Sequence, residues 1–384
     1  QLGSTMTPTF PTFYLAHLHK TVFVPIEGAK VCILIDLPDP ADMKDFAFLG
    51  KPGHAVQKKA HEIFHQGLNG GVMGQLGLTG GEMFAYKTTG GSNLDLPDTC
   101  VDAAGNVVNL VEAVCKVYNL ILCISDYSAT APLTALAKKH GFRGSTMHGL
   151  NDVIIASGLA VDYNEVSRQA EKLRLGMTRS DAAEIDYVLG GRAMTLRLEL
   201  GQQEAQKSHG LCHGTKPDIA NLPAGEVYFV PTGAEGTFPI QHEDGTITIN
   251  QVKDGRNVAS EFYSGDPATA EHHRIKVVND PVTGVIGELG FGTQVLPFAN
   301  ADIQDEKVLG TVHVATGRSD HLGGHLTPDL FKEAKNASHD DLLFHPVKTP
   351  SIALPQVRIY REGKVHVVIE NYTPAAYLLG LLAS

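Results

Sequence analysis

KVCILID, residues 30–36, is an almost unbroken apolar run ending on a carboxylate, and LILCIS, residues 120–125, repeats the habit. Apolar runs of this length without polar alternation belong to strands covered on both faces, as in parallel sheets. Around them the wording is helical, at residues 55–68, in NLVEAVCKVY (109–118) and in TAPLTALAKKH (130–140). This alternation predicts an α/β fold in which helices cover a parallel sheet. Between 69 and 93 the glycine pairs at 70–71, 80–81 and 90–91 predict a flexible loop, with a ligand-facing loop as the second reading.

After a polar helix expected at 164–175 the grammar changes to strands. MTLRLEL (194–200) alternates, EVYFV (226–230) follows NLPAG, TITI (246–249) follows Asp244-Gly245, and RIYREGKVHVVIE (358–370) reads as a hairpin turning at Glu362-Gly363. The expected division is an N-terminal α/β sheet domain over 6–165 and a strand-rich α/β domain over 166–384, with the boundary near 160–180. Gln1 to Thr5 reads as an added leader ahead of a start at Met6.

The chain has 384 residues, 43% hydrophobic and 19% charged, which is a folded globular composition long enough for two cores. Its formal net charge of -11 comes with scattered basic residues, so nucleic acid and anionic membrane are not expected partners. No apolar run approaches the ~20 residues that span a bilayer. Five widely spaced cysteines, Cys32, Cys100, Cys115, Cys123 and Cys212, read as reduced structural thiols of a cytoplasmic protein.

Two constellations could hold metal. The first is His61-Glu62-Ile63-Phe64-His65, an HExxH that on a helix puts two imidazoles on one face with a glutamate beside them. It lacks an obvious third ligand, Glu82 in the glycine-rich segment being the nearest, and the favoured reading is a helix with two partly exposed histidines. The second is spread downstream over Glu226 in LPAGE, Glu288 in GELGFGT, His313 in VLGTVH, Asp320 in GRSD, and the His339-x-Asp341 pair in NASHDDLLF. Two imidazoles with up to four carboxylates suit one or two divalent cations. His339 and Asp341, two apart, share a face if they lie on a strand.

The stretch from about 218 to 345 resembles the metallo-aminopeptidase family that contains aminopeptidases T and S. The matching text is NLPAGEV (221–227), GELGFGT (287–293), DEKVLGTVHVATG (305–317) and the surroundings of His339. The resemblance implies a two-metal centre on Glu226, Glu288, His313, His339 and Asp341, in the second domain near the cleft, and a homodimer. The first 160 residues match more loosely, through SDYSATAPLTALAKKHGFRGSTM (125–147).

One position departs from the family. Its tyrosine, seven residues after the metal-binding histidine, is Asp320 here, followed by His321 and His325. Asp320 can ligate as a hard oxygen donor but offers no phenol. Because Glu226 and Glu288 are both present and a mononuclear iron site has no need of two extra carboxylates, the first expectation is a hydrolase acting on a short-peptide or small-molecule amide. In it water is activated on Zn, Co or Mn, Glu226 or Glu288 serves as general base, and Asp320 replaces the tyrosine as a ligand. The alternative follows from a relative of the family, 2,5-dihydroxypyridine dioxygenase: a single Fe(II) on His313, His339 and Asp341, with Asp320 and His321 facing the substrate as acid–base groups.

Overall fold

The computed structural model describes residues 8–384, so the expected leader lies outside the described residues. Lys30–Leu37 is the central strand of a seven-stranded sheet, pairing in parallel with Thr79–Lys87 on one side and Leu120–Ser125 on the other. Val31, Ile33, Ile35 and Leu37 enter one apolar core and Cys32 and Leu34 another. Burial on both faces is the physical reason the run needs no polar alternation. Arg143–His148 continues the parallel set, and Thr99–Asp102 and Val107–Asn109 extend the opposite edge antiparallel.

Three expectations are corrected here. The glycine-dense segment is not one loop: helical turns Leu68–Val72 and Met73–Leu76 precede the strand Thr79–Lys87, where Gly80 and Gly81 adopt positive φ before the apolar half MFAY is buried. NLVEAVCKVY forms only one wide helical turn, Val111–Cys115, because its first residue, Asn109, ends a short strand begun by the β-branched pair Val107-Val108. The sheet also ignores the expected boundary, since Asp218–Asn221 returns from the second half to pair in parallel with Arg143–His148.

The helix Tyr163–Met177 leads into two antiparallel sheets. One runs in the order 256–264, 247–253, 233–241, 192–199, 182–189, 356–361, 364–370 and 373–374, with 352–353 beside 182–189. The expected hairpin is there, turning at Glu362, whose φ is positive, and Gly363. The other sheet has the order 339–343, 312–317, 286–292, 226–229 and 206–208. Val227, Phe229, Leu289, Phe291, Val312 and Val314 form one core with Ile185, Leu196, Leu198 and Phe238 of the larger sheet. Period-2 alternation turns the remaining side chains of the five-stranded sheet to its other face. All five cysteines are buried and free, and among the described residues no helix is long and apolar enough to cross a membrane.

Candidate metal centre

The open face of the five-stranded sheet carries the site. Its register sets Glu288 beside Ala315 and Ala315 beside Asp341, while Gly290 pairs with His313 and Gly317 with His339. Glu226 pairs with Gly292 at the next row. Glycine and alanine therefore form the floor between the polar side chains. A Cβ built on Gly290 would overlap the His313 ring at Cε1 and Nε2, so the absent side chain is the space the imidazole occupies.

The polar atoms converge closely. His339 Nε2 lies 3.0 Å from Glu288 Oε2 and 3.2 Å from Asp341 Oδ1. His313 Nε2 is 3.6 Å from Glu288 Oε2, 3.8 Å from Glu226 Oε2 and 4.0 Å from Asp341 Oδ1. Two ligand groups emerge, Glu288 with His339 and Asp341, and Glu226 with His313 and Glu306. Glu306 was not singled out in the sequence; it follows Asp305 in a short helical turn, and no periodicity announces that it is buried. It pairs at 2.8 Å with Lys307, also fully buried.

The electrostatics suit a cation. Burial and the charge of Glu288 hold the Glu226 carboxyl well above the usual range. Burial likewise pushes Glu306 up to about 7, against the pull of Lys307. Burial disfavours the His313 imidazolium, yet Glu288 and Glu226 outweigh it and push the ring up to about 10. Glu288 is held low against its burial by hydrogen bonds from His313 and His339. Protons on the His313 and His339 rings and on Glu226, together with Lys307, compensate the carboxylates, and a divalent cation would take the place of the ring protons. Glu226 Oε2, Glu306 Oε2, Asp341 Oδ1 and His313 Nδ1 are buried without a hydrogen-bond partner among the described residues. Buried polar atoms left in this way are costly unless something else meets them, and the donor set fits a divalent metal.

His339 is oriented from behind. Its Nδ1 donates to the Arg318 carbonyl at 2.6 Å, which aims Nε2 at the cluster, where it would offer a lone pair to an ion once its proton is displaced. The His321 ring stands edge-on against it at 4.7 Å, while His325 is exposed. Asp320 is not part of the cluster: its oxygens accept from Arg318 Nε at 2.8 Å and Nη2 at 3.3 Å. The expected ligand role and substrate-facing role of Asp320 are both corrected by this ion pair. Glu226, Glu288, His313, His339 and Asp341 are brought together.

A cavity of ≈ 190 Å³ lies between these groups and the carboxyl ends of the parallel strands, with Asn93, Ser128, Thr130, His148 and Asn221 on its far wall. Crevices at the carboxyl ends of parallel strands are where open α/β sheets take ligands. The HExxH site is not formed: the His61 and His65 rings stack at 5.0 Å against Phe46, Glu62 turns out to Lys59, and Glu82 is exposed on a strand.

No family model matches the chain, and no curated protein matches it in sequence, so the resemblance to aminopeptidases T and S finds no support there. In three dimensions the chain is similar to 2,5-dihydroxypyridine dioxygenase from Pseudomonas putida KT2440. The TM-score is 0.56 at 14% identity, over 91% of this chain and 92% of that one. At that identity the likeness establishes a shared mixed α/β fold along nearly the whole length of both chains.

Proposed function

We propose that this chain is a mononuclear iron enzyme that opens a small aromatic ring with dioxygen, its ion held by His313, His339 and Asp341. The observation that carries the reading is the meeting of two imidazole nitrogens and one carboxylate oxygen on one sheet face, at 3.2 Å for His339 to Asp341 and 4.0 Å for His313 to Asp341. Ligands around one ion with bonds of ~2.1 Å stand about 3 Å apart, a spacing His339 and Asp341 already have and His313 would reach by closing on Asp341 by about 1 Å, and two His with one carboxylate is the set used by non-haem iron oxygenases. The fold likeness to a dioxygenase supports the same choice over the hydrolase expected first.

Bound ferrous iron supplies the redox chemistry that lets dioxygen react with an electron-rich ring. The chain's own residues do the rest. A cavity of ≈ 190 Å³ is smaller than the ~300–1,000 Å³ of sites for drug-sized ligands, which suits a single small ring. Glu226, whose neutral form is favoured by burial and by Glu288, lines that space with an unpartnered Oε2 and is placed to exchange a proton with the ring's oxygen substituents. Asn93, Ser128 and Asn221 offer neutral hydrogen-bonding groups on the opposite wall, which orients hydroxyl or carbonyl substituents.

A second reading, a two-metal hydrolase using Zn, Co or Mn, rests on the second ligand group of Glu226, Glu306 and His313 beside the first. Metal analysis after anaerobic purification separates the two. The oxygenase reading expects about one iron per chain and dioxygen consumption with a dihydroxylated pyridine, both lost in His339→Ala and Asp341→Ala. Two zinc, cobalt or manganese ions per chain with cleavage of an aminoacyl anilide would replace it with the hydrolase.

A further inference from the structure

We infer that Arg318 is a positioning residue that sets the direction of the His339 lone pair and locks the first domain's cavity wall to the metal centre. The inference rests on the proposed metal site, but its test does not depend on which metal is native or which reaction follows.

Arg318 is among the largest fully buried side chains, at 2% exposure. Its guanidinium reaches two separate parts of the chain. Nη1 donates to the Asn93 carbonyl at 3.0 Å and to Asp95 Oδ1 at 2.8 Å, and Nε donates to Asp320 Oδ1 at 2.8 Å. The planar fork of arginine allows this double engagement, and a lysine's single ammonium does not. Its main chain is held as firmly: the Arg318 N–H donates to Ser338 at 2.8 Å, and its carbonyl is the acceptor for His339 Nδ1. Gly317 just before it has φ +92, and a Cβ there would run into the Ser338 carbonyl, so the strand end cannot relax easily toward another geometry.

The two ends of the clamp meet again at His339, whose own N–H donates to the Ser92 carbonyl at 3.1 Å. Ser92 and Asn93 belong to the segment after the first domain's Thr79–Lys87 strand, and Asn93 in turn accepts from the Ala131 N–H at the start of the Thr130–His140 helix. The wall that faces the substrate and the ring that faces the metal are therefore fixed to one buried cation. Asp320 completes the clamp, and by holding the turn Asp320–Leu322 it keeps His321 against the His339 ring. Asp320 thus acts through Arg318 on the ligand shell.

The test uses full-length, metal-free protein labelled with 15N-histidine. The parent is expected to show a slowly exchanging imidazole N–H from His339 Nδ1, identified by its loss in His339→Ala, and to bind cobalt(II) in a direct titration. Arg318→Met keeps the carbonyl that His339 Nδ1 donates to but frees the segment that carries it from the guanidinium's anchors, so that N–H is expected to exchange faster and cobalt affinity to fall by roughly 10-fold, the lower end of the cost of disturbing a group behind a metal-binding histidine. Arg318→Lys, which keeps the charge without the fork, should not restore either. Asp95→Asn alters an exposed partner and should weaken cobalt binding in the same direction with the fold intact, which decides the matter if Arg318→Met does not fold. A variant of Arg318 that melts earlier yet keeps the slow N–H exchange and binds cobalt within twofold of the parent overturns the inference, as does an Asp95→Asn protein unchanged in both readouts. Failure of the oxygenase reading looks different: cobalt binding and the Arg318 effects persist while no dioxygen is consumed.

Discussion

Gly290 shows how a missing side chain can be the informative one. It faces His313 across the ladder, and the imidazole fills the volume that a Cβ would take. Its backbone lies outside the positive-φ region, so alanine meets no conformational barrier there. Gly290→Ala is therefore expected to fold normally, as judged by circular dichroism, while losing at least tenfold in metal affinity because His313 is pushed off its direction. A metal titration indistinguishable from the parent's would remove His313 from the ligand set. In the sequence, GELGFGT exposed Glu288 but not the purpose of its glycines, because that purpose exists only once the His313 strand lies alongside. The same limit hid Glu306, and it misdirected the reading of Asp320, whose partner Arg318 is two residues away and offers a salt bridge no spacing rule distinguishes from ligation.

At the scale of elements, alternation made the site sheet legible. VHVATG sends Val312 and Val314 to the core and His313, Ala315 and Gly317 to the face that carries the site, and the pair His339 and Asp341 shares a face for the same reason. The parallel strands were legible from their apolar runs, whereas Thr79–Lys87 was hidden by the glycines that open it. The first helix, Leu15–Val22, carries a different kind of misfit. His19 lies with Leu15, Leu18 and Val22 on its buried face, against Phe23, and neither ring nitrogen has a partner among the described residues. Burial lowers it to about 4 from an ordinary 6.5. The folded protein thus refuses a proton that the unfolded chain accepts below pH 6.5. Stability from this group is complete above that pH and is lost as pH falls toward 4, by on the order of 3 kcal/mol. His19→Leu is expected to be at least as stable as the parent at pH 7 and to lose less stability between pH 6.5 and 4 in urea unfolding. Parallel stability curves for the two proteins would mean the ring protonates without penalty.

The whole molecule is less divisible than its sequence suggests. An abrupt change from α/β wording to strand wording near residue 165 predicts two domains joined end to end, but Asp218–Asn221 leaves the second half to become the outer strand of the first sheet. Four residues between Pro217 and Leu222 give no propensity signal strong enough to announce such a return. Its consequences reach the core: Arg143, buried at 5% exposure, donates to the carbonyls of Phe23 and Cys212, so a first-half side chain depends on a second-half loop. The returning strand also carries Asn221 to the cavity wall, accepting from Thr146 at 3.2 Å. A fragment ending at residue 165 would expose the Arg143–His148 edge and strand a buried guanidinium without one acceptor, the combination that favours aggregation over folding. Residues 8–165 produced alone are therefore expected to be insoluble or to lack a cooperative thermal transition, and the intact chain is expected to unfold as one calorimetric unit because neither half can open without breaking the shared sheet. A soluble 8–165 fragment with a sharp melt, or two resolved transitions in the intact chain, would show that the returning strand is an appendage and that the cavity wall can form without it.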